Sequence, residues 1–216
     1  MADQGRFITV EGGEGSGKSS LIRYLCAWFS DRSLPVLQTR EPGGTPVAEA
    51  LRSLLLCSQS GSGMLAMTEL LVVLAARTEH VEKVIQPALT VGTTVVCDRY
   101  IDSTMAYQAF GRRVLPERVW NLSVDVVPLL PDMTFYLDVD PVVALGRVHR
   151  RQKGVKDRLE AEDASFHERV REGFLAMARK CPERIVVLDA SLPEPVVASK
   201  ACQILEQKVS GWIPPS

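Results

Sequence analysis

Eight residues, Gly12-Gly13-Glu14-Gly15-Ser16-Gly17-Lys18-Ser19, constrain what this chain can become more than any others. They fit the spacing G-x-x-x-x-G-K-[ST] without a mismatch, and they lie between an apolar run at 7–11 and the start of a helical pattern. Glycines let the backbone curl there until successive N–H groups point inward, which makes a cradle for phosphate oxygens. The N-terminus of the following helix adds partial positive charge at the same spot. Lys18 is then placed to reach the β- and γ-phosphates of a nucleoside triphosphate, and the Ser19 hydroxyl to join a Mg²⁺ shell. A strand–loop–helix unit of this kind commits the chain to an α/β fold and to nucleotide binding.

The remaining pattern agrees. Apolar runs at 7–11, 35–39, 94–98, 133–139 and 184–188 are rich in Val, Ile, Thr and aromatics and do not alternate with polar residues, as expected of strands covered on both faces. Helical patterns fall between them at 17–32, 46–57, 65–89, 116–127, 141–151, 160–180 and 193–208, with Pro46, Pro116, Pro141 and Pro193 near their starts. The alternation predicts a parallel five-stranded sheet with helices on both faces, of the P-loop NTPase type, whose strand C-termini share one ligand-binding edge. The Ser/Gly stretch at 58–63 reads as a loop, and neither repeat nor linker divides the 216 residues, so one domain over 1–216 is expected.

Charge and cysteine usage narrow the class. Lys and Arg number 25 against 26 Asp and Glu, a net charge of −1, whereas a nucleic-acid coat or anionic-membrane binder carries a global basic excess. The five cysteines (Cys26, Cys57, Cys97, Cys181, Cys202) are scattered and odd in number, which suits reduced thiols in a cytoplasm better than a disulfide frame or a metal cluster. No apolar signal core opens the sequence, and the longest apolar stretch, 70–76, is too short to span a bilayer. Neither a membrane nor a nucleic-acid partner is expected, and the location is expected to be cytoplasmic.

The run Thr94-Val95-Val96-Cys97-Asp98 puts a carboxylate at the C-terminal end of a buried strand, with Arg99 next to it. Such an Asp can hold Mg²⁺, directly or through water, beside the phosphate cradle. Two charges leaving an apolar strand together need partners. Arg99 is either half of a structural pair with Asp98 or a two-point clamp on a phosphate.

Six elements in order carry a resemblance to bacterial thymidylate kinases over nearly the whole chain: Glu11 to Ser19, Thr39-Arg40-Glu41-Pro42-Gly43-Gly44-Thr45, Leu74-Ala75-Ala76-Arg77-Thr78-Glu79-His80, Asp98-Arg99-Tyr100, Ser103-Thr104-Met105-Ala106-Tyr107-Gln108, and a basic segment ending in Asp157-Arg158. The resemblance implies phosphorylation of thymidine 5′-monophosphate (dTMP) by Mg-ATP in dTTP biosynthesis; another nucleoside monophosphate or deoxynucleoside kinase of the same fold is the alternative. It implies an ATP-binding set of Gly12, Gly13, Glu14, Gly15, Ser16, Gly17, Lys18, Ser19 and Ser20, with Arg147 against adenine near the turn Leu188-Asp189-Ala190. For the acceptor it implies Glu14 at the sugar 3′-hydroxyl, Arg40 and Pro42 in a tight, often cis, turn, Arg77 on the thymine edge, and Arg99 on the phosphate. Ser103, Thr104, Tyr107 and Gln108 would complete that site. Where relatives often stack an aromatic on the base, this chain has Val73.

The basic segment at about 147–158 is either a solvated helix end or, by the resemblance, a lid whose arginines close over the donor phosphates. Arg151 first, then Arg158 and Arg150, would act there, with Lys18 and Arg99, as the catalytic cations. Ser19 and Asp98 would be the metal ligands, and the assembly would be a homodimer. A guanine-reading Asn-Lys-x-Asp or Thr-Lys-x-Asp sequence is lacking, which argues against a GTPase switch.

Overall fold

The computed structural model describes residues 5–57, 63–151, 158–159 and 161–209, and for His149, Arg151 and Val209 the backbone alone. Five strands form one parallel sheet in the order β2-β3-β1-β4-β5: β1 (Phe7–Glu11), β2 (Val36–Arg40), β3 (Thr94–Asp98), β4 (Met133–Asp138) and β5 (Ile185–Asp189). The helices are α1 (Lys18–Asp31), α2 (Pro46–Leu56), α3 (Ala66–His80), α4 (Gln86–Thr90), α5 (Ile101–Thr104), α6 (Pro116–Val126), α7 (Pro141–Arg151), α8 (Ala164–Lys180) and α9 (Glu194–Val209). Two π-helical segments, Val81–Ile85 and Met105–Gly111, continue α3 and α5.

The central strands β1, β3 and β4 are buried almost throughout because both faces of the sheet are covered there, while β2 and β5 at the edges are only partly buried. Ile8, Val10, Val96, Phe135 and Leu137 point to one face, where Leu21, Ile22, Leu25 and Phe29 of α1 and Val197, Ala201 and Leu205 of α9 pack on them. The intervening residues point the other way: Phe7, Val95 and Cys97 meet Val81, Ile85 and Tyr100, while Tyr136 and Ile185 meet Phe166, Phe174 and Met177 around α8. A period of two along each strand therefore sorts one continuous apolar run into two cores.

Three expectations change. The helical stretch at 65–89 is α3, a π turn and α4; the π turn comes just before Pro87, whose ring would clash with the preceding turn of a regular α-helix. The helix expected over 160–180 is α8, which begins at Ala164, where the Asp163 side chain caps it by accepting the Phe166 N–H at 2.7 Å. Residues 101–111 are helical where no element was expected. Asp102, Ser103, Thr104 and Gln108 in that stretch are polar yet buried, so its pattern does not resemble an amphipathic helix.

Candidate active site

The sheet's C-terminal edge carries three connected clefts. The first, about 480 Å³, runs between the loop after β1 and the loop after β5, and is lined by Gly15, Ser16, Gly17, Ser20, Arg147 and Ala190 among others. A central cleft of about 160 Å³ is lined by Lys18, Ser19, Arg40, Arg52, Asp98 and Arg99. The third, about 320 Å³, is lined by Pro42, Val73, Arg77, Ser103, Thr104, Tyr107 and Gln108, with Glu14, Glu41, Arg52 and Arg99 shared with the central one.

The loop after β1 has the shape the motif predicts. Gly15 has φ +73°, and a Cβ there would lie 2.2 Å from the Ala144 carbonyl oxygen, so only glycine fits between the loop and α7. The Lys18 ammonium donates to the carbonyls of Gly13 at 2.9 Å and Gly12 at 3.1 Å, folded back along the rim of the cradle. Burial, and then Arg99, hold its pKa below the usual lysine value, with Glu14 pulling the other way.

Arg99 occupies the left-handed region, φ +71°, which a non-glycine residue adopts at some cost. Its N–H donates to the Val10 carbonyl, and its guanidinium donates to the Gly12 carbonyl at 2.9 Å, to Ser103 Oγ at 3.2 Å and to the Glu14 carboxylate, with the Tyr107 ring 5.0 Å away. Burial opposes its charge, but Tyr107, Glu14 and Asp98 together raise the pKa above that of a free arginine. For Glu14 the balance is the same in mirror image: burial raises the pKa, yet Arg99 and Lys18 prevail and hold it at about 2. Burial moves the Tyr107 phenol up to about 12. Asp98 Oδ1 is buried with no partner among the described residues, in the central cleft beside Ser19 and Lys18. An unsatisfied carboxylate oxygen next to a hydroxyl is a donor set that suits a hard divalent cation.

Arg77 anchors the far end of the third cleft. Only 2% exposed, it donates from Nε to Glu41 at 2.8 Å and from Nη2 to Thr104 at 2.8 Å, while Nη1 is buried with no partner among the described residues. Burial opposes its charge and Glu41 restores it, leaving its pKa raised. The Glu41–Pro42 bond is cis, and Pro42 lines the cleft.

A family model described as Thymidylate kinase matches residues 10–201. The chain belongs to the thymidylate kinase family. The thymidylate kinase of Protochlamydia amoebophila is 43% identical over 213 residues, 96% of this chain and 95% of that one. That of Magnetococcus marinus is 46% identical over 203 residues, 91% and 93% of the two chains. The crystal structure of thymidylate kinase from Ehrlichia chaffeensis superposes with a TM-score of 0.74 at 34% identity, covering 94% of this chain and 99% of that chain.

Within this thymidylate kinase fold the arginines of the basic segment are placed unevenly. Arg147 donates to the Ala190 carbonyl at 3.0 Å and Arg150 to the Gly146 carbonyl at 3.2 Å, and both line the first cleft. The Arg151 side chain and residues 152–157 lie outside the described residues. Arg158 does not lie over the phosphate loop. It lines the third cleft, donating to the Leu55 carbonyl at 2.9 Å with its guanidinium 2.7 Å from Glu69. Glu69 is buried and draws in Gln108 and Arg112 as well, so cations collect where that charge needs compensation. Arg40 faces the central cleft and pairs with Glu49 at 2.8 Å.

No motif marks Arg52, which donates to the Pro42 carbonyl at 3.0 Å and lines both the central and third clefts. Nothing in an amphipathic helix marks the one arginine that faces a cleft. Glu11 ends a strand and opens the motif that carries the resemblance, with no role expected of it, yet its carboxylate accepts the Tyr100 N–H at 2.7 Å and faces the Ser103 hydroxyl at 2.5 Å.

Proposed function

We propose that this chain, acting as a single domain, transfers the γ-phosphoryl group of Mg-ATP to the 5′-phosphate of dTMP, giving dTDP and ADP. One observation carries the reading: the central cleft, lined by Lys18 and Arg99, shares lining residues with both the first and the third. A nucleotide at each end brings two phosphate chains together at the centre, which is the geometry for in-line transfer.

An acceptor phosphate has a second pKa near 6 and is already largely dianionic at neutral pH. No side chain has to remove a proton, and none is assigned to do so. The difficulty is repulsion between two polyanions in a site that also holds Glu14. Lys18 turns from the loop carbonyls to the donor phosphates, while Arg99 and Arg52 face the acceptor phosphate. Each cation aimed at transition-state charge contributes several kcal/mol. Glu14 keeps Arg99 oriented until the acceptor arrives and then faces the sugar. Ser19 and the Asp98 oxygen without a partner among the described residues would hold Mg²⁺, which would neutralise charge on the donor phosphates. Arg147 and Arg150 serve the adenosine end, and Arg151 the transferring phosphoryl group.

Arg77 reads the base. A guanidinium nitrogen that only donates suits a carbonyl oxygen and not an amino group. Val73 offers aliphatic surface beneath the ring, with Tyr107 on the cleft wall. Five cysteines scattered along the chain support a reducing cytoplasm. Among the described residues no helix is long and apolar enough to cross a membrane. Exposed Val47 and Leu54 on α2 and Leu71 on α3, helices that wall the third cleft, support a homodimer.

The test is ADP release measured across a panel of nucleoside monophosphates with ATP, with and without Mg²⁺. Turnover with dTMP, far above that with dCMP, dGMP or thymidine, is expected; failure of every monophosphate would refute the reading.

A further inference from the structure

The guanidinium of Arg77 has five N–H donors and three nitrogens. Glu41 takes Nε and Thr104 takes one N–H of Nη2, so the plane cannot roll and Nη1 is the nitrogen left without a partner among the described residues. Glu41 is itself immobilised. Its second oxygen, Oε1, lies 3.1 Å from Nδ1 of His80, and Nε2 of that ring lies 2.6 Å from Thr39 Oγ1 at the end of β2. His80 is fully buried at the last position of α3, one helical turn beyond Arg77. Gly44, φ +86°, passes so close that a Cβ there would meet the ring at 2.4 Å. The ring is thus held by Thr39, by Glu41 and by the backbone turn after Pro42.

We propose that Glu41 and His80 are positioning residues for base selection: the chain Thr39–His80–Glu41 fixes the Arg77 guanidinium so that a single donor nitrogen faces the 4-position of a pyrimidine. The inference rests on reading the third cleft as the acceptor site. Two physical arguments support it. First, a carboxylate with one oxygen bound is free to swing about its last bond, but one held at both oxygens is not. Without His80, Glu41 turns and competes for the guanidinium donors that the base needs, and the reading of the 4-position is blurred. Second, the pair Glu41–Arg77 cancels its own charge inside the protein. An uncharged base therefore meets a neutral donor, while phosphate is drawn to the opposite end, where Arg99, Arg52 and Lys18 outnumber Glu14 and Asp98. Burying an arginine without its carboxylate would be costly and would make that end an anion site as well.

The test compares wild type with His80→Leu, His80→Asn and Thr39→Val. Binding of dTMP and dCMP is measured by calorimetry, and kcat and KM are measured for both with ATP. Asparagine places an amide N–H about where Nδ1 sits and so keeps the bond to Glu41; leucine cannot. For His80→Leu the dTMP-over-dCMP preference should fall about tenfold or more, through dTMP affinity and KM, with the KM for ATP unchanged; losing one charged hydrogen bond supports a change of that size. His80→Asn should retain most of the preference. If His80→Leu does not fold, Thr39→Val, which loosens the ring from its far side, should show a smaller fall in the same ratio. A folded His80→Leu or Thr39→Val protein with the wild-type ratio, or equal loss in His80→Leu and His80→Asn, would overturn the proposal. Wild type that neither binds nor phosphorylates dTMP would instead remove the functional reading on which it rests.

Discussion

Replacing Glu11 with glutamine tests how charge is managed beneath the phosphate loop. Glu11 is fully buried at the end of β1, its two oxygens engaged by the Tyr100 N–H and the Ser103 hydroxyl. Burial first, and then the Asp102 carboxylate, push its pKa from 4.5 up to about 7, against the opposing pull of Ser103, Arg99 and the Tyr100 N–H. The folded chain thus holds this proton more tightly than the unfolded chain does. Between pH 4.5 and 7 the unfolded state binds fewer protons, so stability falls as pH rises through that window. The stabilisation is complete below the lower value and lost above the upper one. The interval corresponds to on the order of 3 kcal/mol for a fully buried group. Glutamine keeps the shape and one acceptor oxygen, and removes the titration. In a chain of 216 residues, about 3 kcal/mol moves Tm by about 6–12 °C. Calorimetric scans of wild type and E11Q from pH 5 to 8 check this, because subtracting the two curves cancels every other titrating group. E11Q should gain on the wild type steadily up to pH 7.5. Parallel curves would show that Glu11 stays charged in the fold, and the electrostatic argument would be wrong.

Three further outcomes are expected. Arg99→Met should lower kcat/KM for dTMP by about 10²–10³-fold, the usual cost of one transition-state donor, and adding Glu14→Gln should recover part of it by removing a carboxylate left without its partner. Gly15→Ala forces a Cβ to 2.2 Å from the Ala144 carbonyl at φ +73°, so ATP affinity measured by titration should drop sharply while dTMP affinity changes little. Val73→Phe places an aromatic face on the wall of the acceptor cleft, and stacking of about 1 kcal/mol should lower the KM for dTMP about fivefold; an unchanged KM would mean the base does not pass over position 73.

How much could be read before the fold was known depended on whether a residue's role is local. The phosphate loop is a local device: its glycines, Lys18 and Ser19 act within one turn of chain, and their spacing alone specifies the shape. The strands were equally legible, since burial on both faces writes itself as runs rich in Val, Ile, Thr and aromatics at 7–11, 94–98 and 133–138. Residues 101–111 hid their helix because their polar side chains are satisfied from a distance. Asp102 is paired with Arg184, 82 positions away, at 2.7 Å through both oxygens, Ser103 with Glu11, Thr104 with Arg77, and Gln108 with Glu69. A pattern of apolar and polar letters cannot distinguish a polar residue facing water from one meeting a partner across the sheet edge.

The same reasoning explains which parts of the acceptor cleft are hard to read from sequence. Arg77 could be noticed because it interrupts an apolar helix face, and such an arginine must find either solvent or a partner. Its partner Glu41 sits in a turn, where a carboxylate is ordinary, and His80 looks like any residue closing a helix. Arg158 was assigned to the donor phosphates because basic residues close in sequence suggest one shared task. Charge in a fold is balanced by proximity in space, however, and the carboxylate that meets Arg158 is Glu69, buried on α3, shared with Arg112 and reachable only once α2 and α3 are packed side by side. A cation's function here is decided less by the company it keeps along the chain than by which buried anion reaches it first.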